Sequence, residues 1–337
     1  MYCVSAYFLP VTKPFFAVLQ PANAKSTTLH QLPLLPRTLF PMAALLTARL
    51  PHLHPRLLTV YPRACTTAAA TPRVHGSLDG LVGRITIDNR AKKNAMTLGM
   101  YEQVPGAVAE ATRGGASRVC IVGGAGSEAF GAGSDISEFP RVRTGAAAAA
   151  AYSRVENEAA EALRSIRHPL LARIHGPCIG GGLNMALAAD LRFASEDATF
   201  CVPPARLGIG YPRALMDLLV GAVGKGNATM LLFTAVTVDA QEALRMGLVN
   251  AVLPKDELDA YVEQTAKGIA RLAPLTLTAA KMELQLEPGS QFGNVRSSGP
   301  DPRGDAMKAY MDCYESEDYA EGVRAFREKR RPEFSAA

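Results

Sequence analysis

Two glycine-bearing loops hold the residues whose types and spacing point to chemistry: EAFGAGSDISEF (128–139) and HGPCIGGGLNMALAADL (175–191). Successive glycines let a backbone approach a ligand closely and leave amide N–H groups free to donate. In the second loop the glycines run straight into an apolar helical stretch, which sets Gly181 and Gly182 at a helix start. The unpaired amides of a first helical turn and the positive end of its dipole converge there, on a spot that favours developing negative charge. Taken alone, Gly-Gly-Gly before a helix reads more readily as a simple tight turn. A dinucleotide fingerprint fits poorly, because G-x-G-x-x-G belongs near the first strand with an acidic residue about 20 positions on, and no P-loop sequence occurs.

These loops need strands to lead into them. LVGRITID (81–88), RVCIVGG (118–124) and PLLARIHG (169–176) read as strands, each ending in a loop, and the alternation with helix-like stretches predicts an α/β architecture. Residues 97–113 and 146–167 read as helices, the second stopped at His168-Pro169. Beyond Val202 the pattern is mainly helical, with helices expected over 213–223, 227–234, 239–246, 255–272, 275–286 and 305–330. LVNAVLP (248–254) is the strand-like exception, and 287–304, rich in Gly, Ser and Pro, reads as a loop.

The formal charge of +5 suggests nucleic-acid binding until the chain is divided at Asp79, its first acidic residue. Residues 1–78 carry seven Lys/Arg and no Asp/Glu, so the remainder holds 29 basic against 31 acidic groups. The acid-free segment, with spaced arginines, Ser/Thr and Ala, has the composition of a mitochondrial transit peptide and is set aside from the fold. Met42 opens a presequence of its own, which leaves the mature start undecided. The expected organisation is a leader over 1–78, a core over 79–254 and a helical region over 255–337, in the mitochondrial matrix. No run approaches the roughly 18 apolar residues that span a bilayer. Cys120, Cys178, Cys201 and Cys313 are isolated, without metal-ligand spacing, and read as free thiols of a reducing compartment; no metal site is expected.

DNRAKKNAM (88–96), IVGGAGSEAFGAGSD (121–135) and HPLLARIHGPCIGGG (168–182), followed by TVDAQEALRMGLVNAVLP (237–254) and SEDYAEGVRAFREKRRPEF (316–334), resemble in order and separation the enoyl-CoA hydratase/isomerase (crotonase) superfamily. The resemblance covers residues 81–334 and implies an α/β spiral of ββα turns with a C-terminal helical trimerisation region. It implies an acyl-CoA thioester as ligand, coenzyme A being part of the substrate rather than a separate cofactor, and a homotrimer or homohexamer. The thioester oxygen would accept from two backbone amides that match Ser134 and Gly181, with the side chain at 134 free to vary. Ala132, Asp135 and Ile136 match positions around adenine and pantetheine, and Lys92, Lys93 and Ala95 lie where the family's first loop meets the nucleotide. Either lysine reads equally well as part of a solvated turn.

The same resemblance exposes a departure. The hydratase's two glutamates fall at Asn184, three residues after the matching glycine, and at Pro204, four after Phe200. Asn184 can hydrogen-bond a water or substrate but cannot act as a base near neutral pH. Tyr211, Arg213 and Asp217 border the expected acyl pocket, Tyr211 being the main replacement candidate beside Asn184; a pocket wall and a helix face are their plain alternatives. His175 reads as a structural hydrogen-bonder, Glu196 and Asp197 as solvated, and Asp190 as a helix anchor. The expectation is an acyl-CoA enzyme that isomerises, hydrates with substrate assistance or hydrolyses its thioester. The alternatives are a non-catalytic acyl-CoA binder or assembly subunit and, against the charge of the mature part, an RNA-binding member.

Overall fold

The computed structural model describes residues 71–286 and 301–335. Its strands are β1 (Arg73–Asp79), β2 (Val82–Asp88), β3 (Val119–Gly124), β4 (Leu170–Ile174), β5 (Pro177–Ile179), β6 (Leu191–Ser195), β7 (Thr199–Cys201), β8 (Val238–Asp239) and β9 (Ala251–Leu253). The helices are α1 (Leu98–Ala111), α2 (Phe139–Val142), α3 (Ala146–Arg164), α4 (Gly181–Leu187), α5 (Pro204–Leu207), α6 (Arg213–Thr234), α7 (Ala240–Arg245), α8 (Leu258–Ile269), α9 (Pro274–Leu284), α10 (Pro302–Glu315) and α11 (Glu317–Glu328).

The continuous apolar run of β3 is buried at every position, as a strand covered on both faces must be. It lies inside a six-stranded sheet of order β1-β2-β3-β4-β6-β9, parallel except for the β1-β2 hairpin. A second layer pairs β5, β7 and β8. Isolated bridges between Met96 and Ser134 and between Gly131 and Cys178 tie the preceding loops to one another and to β5. The succession of long strand, short strand and helix in β4-β5-α4 and again in β6-β7-α5 is the ββα spiral expected above.

Alternate side chains divide the core. Ile85, Ile87, Val122, Leu170 and Ala172 join Met100, Val104, Leu163 and Leu183 in the larger cluster. Val82, Val119, Ile121, Leu171 and Phe193 pack with Leu258, Val262 and Ala266 in the smaller one. Burial of each large aliphatic side chain stabilises by about 1.5–3 kcal/mol.

Several expectations are tested by these elements. The leader assigned to 1–78 overlaps the fold, since residues 73–78 pair antiparallel with β2, from Arg73 opposite Asp88 to Leu78 opposite Gly83; residues 1–70 lie outside the described residues. Past 254 the described elements are all helices, as expected, and the first of them, α8, supplies apolar residues to the cluster that covers the sheet. And α6 is long and apolar enough, by length and composition, to cross a membrane, contrary to the reading that no segment is. Its Leu215, Leu219, Val223, Ala228 and Leu231 belong to the core, and the helix breaks at Gly224, where φ is 72°. That break separates the two helices expected there. The expected helix over 305–330 likewise divides at Ser316, whose hydroxyl accepts from the Tyr319 amide at 3.1 Å and caps α11. Most of the expected loop at 287–304 lies outside the described residues, but Pro302–Gly304 already belong to α10.

Candidate active site

Backbone pairing aims the first loop. On one edge the Gly131 amide donates to the Pro177 carbonyl (3.0 Å) and the Ile179 amide to the Gly131 carbonyl (2.9 Å). On the other, the Met96 amide donates to the Gly133 carbonyl (2.8 Å) and the Asp135 amide to the Met96 carbonyl (2.7 Å). Extended backbone turns successive N–H groups to opposite edges. With Gly133 and Asp135 facing Met96, the Ser134 amide faces the second loop. There Gly181 opens α4, and the first amide of a helix has no intrahelical acceptor. Among the described residues, neither the Ser134 nor the Gly181 amide donates a backbone hydrogen bond outside helices and strands.

Space, not torsion, demands the glycines here. A Cβ on Gly181 would lie 2.0 Å from the Tyr101 hydroxyl, 2.9 Å from Ser134 Oγ and 3.3 Å from the Ser134 amide nitrogen. One on Gly182 would lie 2.5 Å from the Gly131 carbonyl oxygen. The two loops meet backbone to backbone, with two free amides on one side of the contact.

A cavity of about 90 Å³ opens beside these amides, lined by Ser134, Gly181, Asn184, Pro204, Tyr211 and Glu156 among others. Asn184 is buried, and its Oδ1 accepts from the Tyr211 hydroxyl at 2.5 Å. Burial, with Glu156 nearby, pushes the Tyr211 phenol up, so it stays protonated and donates. The two side chains singled out as replacements for the glutamates are therefore brought together. Pro204 begins α5 and contributes only a wall.

Glu156, Arg143 and Tyr101 were not anticipated. The Ser134 hydroxyl donates to Glu156 Oε1 at 3.0 Å and lies 2.9 Å from the Tyr101 hydroxyl, so in this chain the side chain at 134 is engaged as well as its amide. Glu156 Oε2 pairs with Arg143 at 3.4 Å, and the Arg143 guanidinium lies 4.5 Å above the Tyr152 ring and 5.1 Å from that of Phe139. Burial raises the Glu156 carboxyl above its ordinary range, against the opposing pull of Arg143 and Ser134. Burial raises Tyr101 well above the ordinary phenol range, with Glu156 adding to it. A signal for Glu156 was present: Tyr152, Ala159, Ala160 and Leu163 mark the buried stripe of α3, and Glu156 is a carboxylate on that stripe.

Other predicted positions sit at the edge. Ala132 and Ile136 line the cavity, Ile136 being exposed. Lys92 reaches from the first loop to Asp135 (2.6 Å) and Ser137 Oγ (3.1 Å), while Asp135 caps the turn that follows by accepting from the Ser137 amide. Lys93 is exposed, with φ of 50°, and its carbonyl accepts from the Ala132 amide at 3.0 Å; Ala95 is buried. His175 is buried on Asp259 at 2.7 Å and does not line the cavity. Asp190 anchors β4 and α9 through the Leu170 amide and Lys281. Asp197 is not simply solvated: it accepts from Ser195 (2.5 Å) and Lys255 (2.8 Å). Arg213 and Asp217 pair on an exposed helix face at 2.6 Å. Among the described residues no cluster of three or more His, Cys, Asp or Glu could hold a metal ion.

Residues 79–337 match the profile of the family described as enoyl-CoA hydratase/isomerase. The short-chain-enoyl-CoA hydratase of Clostridium acetobutylicum is 29% identical over 261 residues, covering 76% of this chain and 94% of that protein. The methylmalonyl-CoA decarboxylase of Escherichia coli is 29% identical over 243 residues, covering 72% of this chain and 90% of that protein. The crystal structure of an enoyl-CoA hydratase/carnithine racemase from Magnetospirillum magneticum superposes with a TM-score of 0.72 at 30% identity, covering 78% of this chain and 96% of that one. With this coverage, and with the spiral and the paired loops in place, the chain belongs to the enoyl-CoA hydratase/isomerase family and is an enzyme of that family.

Proposed function

We propose that the chain binds an acyl-CoA thioester beside Ser134 and Gly181 and stabilises the enolate or oxyanion of that thioester with their two backbone amides. The observation that carries this reading is the convergence of two unpaired amides at a contact too close for any side chain at 181. Charge that moves onto the carbonyl oxygen would meet donors already in position, and removal of one such donor costs roughly 10²- to 10³-fold in rate. Asn184 holds no ionisable group, and its carboxamide oxygen is taken by Tyr211, leaving the NH₂ as a donor. Simple hydration by the pair of glutamates is therefore not the reaction here. Ala132, Asp135, Ile136, Lys92, Lys93 and Ala95 would border the pantetheine and nucleotide.

A second reading has one observation in its favour. The relative named methylmalonyl-CoA decarboxylase suits a site without the two glutamates, because loss of CO₂ from a malonyl-type thioester forms the same enolate without a base. Such a reaction still needs the amides and a proton donor. We further propose residence in the mitochondrial matrix and assembly into a homotrimer or a pair of trimers, supported by the acid-free leader and by exposed Tyr310, Tyr314, Tyr319 and Phe326 on α10 and α11.

Incubation of the purified chain with enoyl-, 3-hydroxyacyl-, malonyl-type and branched acyl-CoAs, with mass detection, separates these reactions. Turnover that falls about 10²-fold or more in Gly181→Pro, which deletes the donor amide, supports the amide assignment; unchanged turnover refutes it.

A further inference from the structure

We propose that Glu156, carried on α3 and not on the elements that bear the family's two glutamates, removes and returns the α-proton of the bound thioester. This rests on the oxyanion reading above and adds the base that reading lacks.

Among the described residues that line the cavity, Glu156 is the only carboxylate. Asn184 cannot take a proton, and Tyr211 donates its own to Asn184. His175 is held by Asp259 away from the cavity. The position of Glu156 relative to the thioester follows from Ser134. One residue supplies the amide assigned to the carbonyl oxygen and, through its hydroxyl, a 3.0 Å hydrogen bond to Glu156 Oε1. The α-carbon is bonded to the carbonyl carbon, so a base fixed to Ser134 stands beside the bond to be broken. Two carboxylate oxygens offer about four acceptor sites, and Ser134 and Arg143 occupy two of them.

Arg143, Tyr101, Tyr152 and Tyr211 are the charged or titratable groups that face Glu156, from the end of α2, from α1, from its own helix and from the loop before α6. Arg143 favours the ionised carboxylate, while burial opposes it, which is the balance a carbon base needs to accept a proton and release it again. Tyr101 can donate to Ser134 as Ser134 donates to Glu156, so each hydroxyl in the chain is satisfied. In the forward step the α C–H bond breaks, the proton moves to a Glu156 oxygen, the C–H pair becomes the Cα=C double bond of the enolate, and the C=O π pair moves onto the thioester oxygen. In return the Glu156 O–H bond breaks and a C–H bond forms at the α-carbon, or at the γ-carbon of a β,γ-enoyl or dienolate system, which moves the double bond. No co-reactant is consumed.

The test is deuterium exchange at the α-carbon of butyryl-CoA in D₂O by the full chain, followed by mass spectrometry, with butyryl-CoA affinity measured by calorimetry. The wild-type chain is expected to exchange, with an acid-side pH limb above the ordinary carboxylate range. Glu156→Gln, which keeps an acceptor for Ser134, is expected to lose at least ~10²-fold of the exchange rate with affinity retained. Glu156→Asp, with the carboxylate withdrawn by one methylene, is expected to exchange at an intermediate rate and guards against failure of the Gln variant to fold. Exchange at the wild-type rate in Glu156→Gln, or butyryl-CoA binding without exchange by the wild type, overturns the proposal. If Gly181→Ala abolishes exchange while Glu156→Gln preserves it, the base assignment fails and the oxyanion reading stands. If the wild type binds no acyl-CoA at all, both fail.

Discussion

The cavity has two walls built in different ways. One is backbone: residues 131–135, stitched on one edge to Met96 and on the other to β5, against Gly181 and Gly182 at the start of α4. The other is side chain: Asn184, Tyr211, Glu156 and, behind it, Arg143. Backbone donors are set by pairing and close approach, so they persist while the side chains opposite change. If the proposed hole is the feature that the family has in common, the side-chain wall is where this chain's own reaction resides. Glu156 belongs to both, since it is fixed through Ser134.

Breaking the side-chain wall at its buried ion pair should have the largest effect. Arg143 and Glu156 have side-chain exposures of 9% and 7%, so Glu156→Ala leaves a buried cation and is expected to cost about 3–5 kcal/mol in urea unfolding. The double substitution Arg143→Met with Glu156→Leu should recover most of that loss; no recovery would mean the pair is not the source. Next, Gly181→Ala places a methyl 2.0 Å from the Tyr101 hydroxyl and should lower kcat by roughly 10²- to 10³-fold. Tyr101→Phe added to it removes the clashing atom, and partial recovery of kcat is the expected sign that space at 181 sets the hole.

Tyr211→Phe tests the join between Asn184 and the pocket. It leaves the buried Oδ1 of Asn184 without its donor and should cost about 1–3 kcal/mol of stability, with a smaller loss of turnover than Gly181→Ala. A pH series gives a sign. A carboxyl whose folded pKa is raised above the ordinary 4.5 contributes stability that is whole below that value and is lost as pH rises through the folded pKa. Wild type should therefore lose stability relative to Glu156→Gln as pH rises from about 4.5; a constant difference across that window contradicts the raised carboxyl. The smallest effect belongs to the entrance: Lys92 is 53% exposed, so Lys92→Met should change stability by at most about 1 kcal/mol despite its 2.6 Å contact with Asp135.

What was legible in the sequence follows the same division. The runs at 119–124 and 170–174 announce themselves because central parallel strands bury both faces, and 82–88 does so by alternating buried with half-buried positions. β1 was hidden, since RVHGSLD shares the composition of the leader before it, and only its pairing with β2 makes it a strand. The short β5, β7 and β8 owe their existence to partners far along the chain, which local propensity does not report. Ser134 and Gly181 were found through the glycine loops and the ordered motifs around them. Glu156 was not, because its link to Ser134 spans 22 residues and depends on how α3 docks, although its place on an apolar stripe marked it as unusual.

The central claim, that the Ser134 and Gly181 amides hold the thioester oxygen, is tested most directly by the carbonyl stretch of a ¹³C-labelled acyl-CoA in isotope-edited infrared difference spectra. On binding to the wild-type chain the band should move to lower frequency as two donors polarise the C=O, and in Gly181→Pro, which lacks one of the two donor amides, much of that displacement should vanish. A bound thioester whose carbonyl band stays at its solution frequency in the wild type would contradict the account.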